Sequence, residues 1–140
     1  MKLLQELTLQ SSYEEVEKVE GLLTAIQQEL GIDNELYAKL MLAVSEAVTN
    51  SIIHGNKLDE SKKVTLKAFL NPQASKLVFE TKDEGKGFNP EEIPDPLADE
   101  NLLKTSGRGV FLMEEYADEV SYSEGGTKLR LIFELPENSA

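Results

Sequence analysis

The spacing of apolar positions changes along the 140-residue chain, and each change marks an element. "LLQELTLQ" alternates in part and predicts a first strand. In "SSYEEVEKVEGLLTAIQQELG" the period becomes helical, with Val16, Val19, Leu22, Leu23, Ile26 and Leu30 on one stripe. Ser12 and Glu15 have the spacing of a capping box, and Gly31 stops the helix. "DNELYAKLMLAVSEAVTNSIIHG" predicts a second helix, with Asp33 as N-cap, Gly55 as C-terminal stop, and Leu36, Leu40, Ala43, Ala47 and Ser51 as its buried stripe. The period then falls to two. "KVTLKAFL" and "KLVFETKD", separated by the turn "NPQAS", predict a hairpin. Residues 84–106 hold three prolines and many polar groups, and read as a long connection with a short helix near 97–104. "GRGVFLMEEYA" predicts a short third helix, and "DEVSYSEGGTKLRLIFEL" a final hairpin around Gly125 and Gly126. The sum is an α/β sandwich of the α+β class. Its antiparallel or mixed sheet carries helices on one face, in a single domain over 1–140 without repeat or linker.

Composition narrows the chemistry. Hydrophobic residues make up 40%, enough for one core. With no cysteine there are no disulfides, thiol nucleophiles or thiolate metal sites, and a single histidine argues against the usual zinc sites. "MKLLQELTLQ" has no apolar signal-peptide core. No stretch approaches the ~18 apolar residues of a membrane span. The expectation is a soluble, cytoplasmic protein with no membrane partner. A net charge of −12 argues against nucleic acid. It still allows a phosphate ligand, held by backbone N–H groups and a bound cation.

Four stretches carry candidate chemistry. In "SEAVTNSIIHGN", Glu46, Asn50 and His54 recur every fourth residue and share a helix face. A merely solvated face in this chain would hold Lys and Glu, as in the first helix. An amide oxygen at Asn50 suits Mg²⁺ among waters and phosphates, and a carboxylate one turn away suits orienting or deprotonating a nucleophile. His54 reads as a hydrogen-bonding group at the helix end. "DEGKG" closes a strand. As a plain turn it needs no ligand; as a site, Asp83 accepts from an exocyclic amine, while Gly85 and Gly87 let backbone approach a flat ring. "SGRG" starts a helix, where Gly107, Arg108 and Gly109 suit a phosphate. "GGTKLRL" is most simply a hairpin turn, although Thr127 starts a strand that can lie beside Asp83. The chain has no P-loop, Rossmann or EF-hand signature.

Singly these are weak signals, but their order is distinctive. E-x-x-x-N on a helix precedes D-x-G-x-G at a strand end, then a polar segment, G-x-G at a helix start and G-T at a strand start. This order resembles the GHKL ATPase/kinase superfamily. "SEAVTNSIIHGN", "DEGKGFNP" and "SGRGVFLMEEYADEV" look like the small bacterial anti-sigma-factor serine kinases. The resemblance covers nearly the whole chain and implies a Bergerat-type ATP-binding fold, with a mixed, mostly antiparallel sheet under about three helices. It implies ATP and Mg²⁺ as cofactors, Glu46 as general base and Asn50 as Mg²⁺ ligand. Asp83 is then the adenine-amine acceptor, helped through water by Thr127. Gly85 and Gly87 shape the adenine pocket, Gly107, Arg108 and Gly109 hold phosphates, and residues 90–106 form a short lid. Members phosphorylate a serine or threonine on a STAS-fold anti-anti-sigma protein. Many sequester a sigma factor, and members often form homodimers. A non-catalytic, ATP-dependent binding module is the alternative, and an intact Glu46 favours the kinase. A complete histidine kinase would need a phosphoacceptor histidine outside the motif, and the chain has only His54.

Overall fold

The computed structural model describes residues 1–86 and 113–136. Five strands form one sheet: β1 (Lys2–Gln10), β2 (Lys63–Leu70), β3 (Lys76–Lys82), β4 (Glu119–Ser123) and β5 (Lys128–Glu134). Their order across the sheet is β1-β2-β3-β5-β4. Every neighbouring pair is antiparallel, so among the described residues the sheet is antiparallel throughout rather than mixed. The connections explain this. β2–β3 and β4–β5 are hairpins, and the two helices between β1 and β2 return the chain to its starting edge.

Those helices are α1 (Lys18–Leu30) and α2 (Asn34–Asn50). The first begins less simply than the sequence suggests. Tyr13–Glu17 form a 3-10 turn, and Ser12 makes no side-chain cap. The capping box does not form, because the Glu15 carboxylate is taken by the Gln10 N–H (2.9 Å) and by Lys18 (2.6 Å). The predicted stripe holds, with Val19, Leu22, Leu23 and Ile26 buried. Gly31 ends α1 at φ 69°, and Asp33 caps α2 by accepting from the Leu36 N–H at 2.8 Å.

Both helices pack on the same face of the sheet. Leu40, Ala43, Val44, Ala47, Val48 and Ile52 meet Leu9, Val64, Leu66, Ala68, Leu77 and Phe79 in one core. Phe79 and Phe133 meet edge to face across β3 and β5, with centroids 5.9 Å apart. Residues 113–116 are helical and bury Met113 in the same core. The predicted short helix at 97–104 lies outside the described residues.

One expectation is corrected. The continuous helix Asn34–Gly55 has 22 residues and holds an 18-residue window of mean hydropathy 1.2, long and apolar enough to cross a membrane by length and composition. A search for ~18 apolar residues passes over it because Lys39, Glu46 and several Ser, Thr and Asn residues punctuate the run. Its apolar stripe is spent on the sheet, which makes it the core helix of a domain.

The opposite face of the sheet is open and ionic. Glu80 lies between Arg130, whose Nε donates at 2.8 Å, and Lys128 at 3.3 Å. Lys82 bridges Glu124 at 2.7 Å. Helices on one side and charge pairs on the other leave the chemistry to the ends of the strands.

Candidate functional site

The end of α2 and the end of β3 run side by side. Ser51 and Gly55 are one turn apart on the helix, and Thr81 and Asp83 are two apart on the strand, so each pair shares a face. Ser51 Oγ meets Thr81 Oγ1 at 3.2 Å. One turn on, a Cβ at Gly55 would overlap the Asp83 carboxylate. The helix end therefore lies directly against the predicted acceptor. Gly55 was expected as a helix stop, yet its φ is not left-handed. Glycine is needed there for clearance, not for a cap.

Helix α2 does not simply end. After Asn50 it widens into a π-helical turn, Ser51–Gly55, closed by the Asn56 N–H on the Ser51 carbonyl at 2.8 Å. Such turns recur at functional sites. They follow from nothing visible in propensity.

Glu46 and Asn50 lie on the strip of α2 beside the one that touches the sheet, and both are half-buried. Burial raises the Glu46 carboxyl above its ordinary range. That suits a group that must take up a proton near neutral pH. Among the described residues, no hydrogen bond or ion pair ties either side chain, so both are free to meet a ligand. The third member departs. His54 is exposed and, among the described residues, makes no hydrogen bond, so the expected helix-end bond is not formed. The strip ends at the π turn.

Asp83 is 6% exposed. Burial pushes its carboxyl up, partly offset by the Gly85 N–H and by the charges of Lys82 and Lys62. The Gly85 N–H donates to Oδ1 at 2.8 Å. The Asp83 N–H donates to the Thr127 carbonyl at 3.0 Å, joining β3 to the start of β5. Asp83 and Thr127 therefore meet through their backbones. The Thr127 hydroxyl is turned elsewhere, receiving Lys82 Nζ at 2.5 Å and donating to the Glu124 carbonyl at 2.8 Å. Gly87, Gly107, Arg108, Gly109 and the segment 90–106 lie outside the described residues.

Sequence reasoning missed Asn56. It is 1% exposed, and its amide is fully engaged. Nδ2 donates to Ser11 Oγ (2.9 Å) and to the Lys63 carbonyl (3.0 Å), while Oδ1 accepts the Glu84 N–H (2.8 Å). The only signal was an amide just beyond a helix end; two of its three partners, Ser11 and Glu84, are far off in the chain.

The donor set fits Mg²⁺. No cluster of three His, Cys, Asp or Glu side chains occurs among the described residues, which argues against an all-protein cage. One half-buried amide oxygen, with a carboxylate a turn away, suits a hard cation that keeps its waters and takes phosphate oxygens.

Known proteins resemble this chain in sequence and in fold. Residues 9–133 match the family described as the histidine kinase-like ATPase domain. An anti-sigma F factor of Clostridium perfringens is 39% identical over 100 residues, covering 69% of this chain and 70% of that protein. An anti-sigma F factor of Anoxybacillus flavithermus is 38% identical over 107 residues, covering 73% and 72%. The serine-protein kinase RsbW of Listeria monocytogenes is 31% identical over 111 residues, covering 74% and 69%. Among solved structures, that of the RsbU and RsbW domains of Rv1364c from Mycobacterium tuberculosis superposes with a TM-score of 0.63 at 19% identity. It covers 95% of this chain, which in turn spans 34% of that longer one. The likeness is one of sequence and of overall fold, and the chain belongs to the histidine kinase-like ATPase domain family.

Proposed function

We propose that this chain is an ATP-dependent protein serine/threonine kinase and anti-sigma-type regulator, whose substrate is a STAS-fold anti-anti-sigma protein in a bacterial partner-switching pathway. One observation carries the reading. A half-buried carboxylate and amide, unbonded among the described residues, stand one turn apart on a helix whose end abuts a buried strand-terminal aspartate. The names of its relatives, anti-sigma F factor and serine-protein kinase, support the same class.

In this reading Asp83 accepts the adenine amino group and disfavours the carbonyl that guanine carries at that place. Gly85 and Gly87 line the base, and Thr127 contributes through water. Gly107, Arg108 and Gly109 hold phosphates, with 90–106 as a lid. Asn50 would hold Mg²⁺, which when bound supplies charge neutralisation at the phosphate oxygens. Glu46 takes the proton of the substrate hydroxyl as that hydroxyl's oxygen bonds to the γ-phosphorus, while the bond from the γ-phosphorus to the β,γ-bridging oxygen breaks and ADP leaves. A sigma factor is a second protein partner, a homodimer is the working assembly, and the compartment is the cytoplasm.

The test is transfer of radiolabel from ATP to purified candidate STAS proteins. Labelling on serine or threonine by the wild type is the expected result. A partner that binds in the presence of ATP but is never labelled would overturn the kinase and leave a non-catalytic binding module.

A further inference from the structure

The carboxylate of Asp83 is not held by its own turn alone. Its Oδ1 takes the Gly85 N–H, but the space around Oδ2 is bounded by Gly55, on another element 28 positions earlier. A Cβ at Gly55 would overlap Oδ2 and stand 3.0 Å from the Asp83 Cβ. A Cβ at Gly85 would in turn overlap the Gly55 carbonyl. Neither glycine has a left-handed φ, so neither is required by its own backbone. Both are required by the closeness of the two chains.

What holds the chains so close is the next residue. Asn56 takes the Glu84 N–H, the peptide that follows Asp83, and ties it to Ser11 at the end of β1 and to the Lys63 carbonyl at the start of β2. Ser11 passes the link on to the Lys62 carbonyl at 2.7 Å. The Glu84 carboxylate receives the Lys63 N–H at 2.5 Å. The turn behind Asn56 is strained. Lys57 and Leu58, both non-glycine, stand at φ 53° and 60°. Consecutive left-handed residues persist only where the surroundings fix them. A π turn before Asn56 and a left-handed pair after it deliver one buried amide to one loop.

We infer that Gly55 and Asn56 are positioning residues for nucleotide selection: Gly55 leaves the space that the Asp83 carboxylate fills, and Asn56 locks the loop that carries it. This rests on the ATP reading above. Neither residue touches the base. They set the direction of the acceptor that does.

The experiment is calorimetric binding of ATP and of GTP, each with Mg²⁺, to the wild type and to Gly55→Ala, Ser11→Ala and Gly31→Ala. Gly31 sits at a left-handed φ with open space around it, far from the site, and controls for general destabilisation. The wild type should prefer ATP strongly. Gly55→Ala should lower the ATP-to-GTP preference about tenfold or more, because a displaced acceptor loses the bond to adenine and no longer repels guanine. Ser11→Ala removes one anchor of Asn56, stays foldable, and should lower the preference a few-fold. Gly31→Ala should lower the melting temperature and leave the preference unchanged. If Gly55→Ala does not fold, Ser11→Ala decides. A wild type that selects ATP, with that selectivity intact in the folded variants, overturns this inference alone. A wild type that binds no ATP removes the nucleotide reading and this inference with it.

Discussion

Function and stability pull apart at single residues of the site. Burial raises the Glu46 carboxyl, so the fold disfavours its ionised form. The stability this group contributes is complete below its unfolded pKa and is lost as pH rises through the higher folded value. At neutral pH it is therefore a net cost. Glu46→Gln should melt higher than the wild type at pH 7, and the gain should vanish by about pH 3, well below the unfolded glutamate value, where both states are protonated. The same variant should lose about 10²–10⁴-fold in phosphoryl transfer while ATP binding stays near wild type. Melting curves at the two pH values and a transfer assay check both halves. Asn50→Ala should behave differently. Its amide is half-buried and, among the described residues, bonded to nothing, so the fold should survive. Calorimetry should show lost Mg·ATP affinity, and equal binding would remove the ligand role.

Elements follow rules that a sequence displays to different degrees. Gly31→Ala places a side chain at φ 69° in open space, and should cost about 1–2 kcal/mol, read by denaturant unfolding. That position was legible, because a glycine closing an apolar period of 3.6 is a local signal. So were the Asp33 cap, the stripe of α1, the two hairpins and the pairing of Glu46 with Asn50. Gly55 gave the same local signal as Gly31 and meant something else. Its reason is Asp83, distant in sequence and adjacent in space. Asn56 was illegible for the same cause, since Ser11, Lys63 and Glu84 satisfy it from three separate places. Glu15 shows the converse. Its spacing from Ser12 was right for a capping box, but the Gln10 N–H and Lys18 competed for the same carboxylate and won. Local chemistry names the groups available, and tertiary contacts decide which partner each one takes.

The whole molecule is a sheet read out of sequence order. β5 lies between β3 and β4, so among the described residues β4 has no sheet partner but β5, and one side of β3 waits for the same strand. That has a consequence for synthesis. A chain emerging from the ribosome can complete α1, α2 and the β2–β3 hairpin early. It then carries an unpaired β3 edge until β5 is free. Such an edge, built from alternating Leu77, Phe79 and Thr81, is a template for wrong pairing. Ending the chain after residue 127 should give a product that aggregates rather than a smaller domain, measurable as the soluble fraction on expression. The Asp83 N–H would also lack an ordered Thr127 carbonyl to bond. The nascent protein therefore cannot present a finished Asp83 loop before β5 has zipped into place, and anything that loop is to grip must wait for that strand.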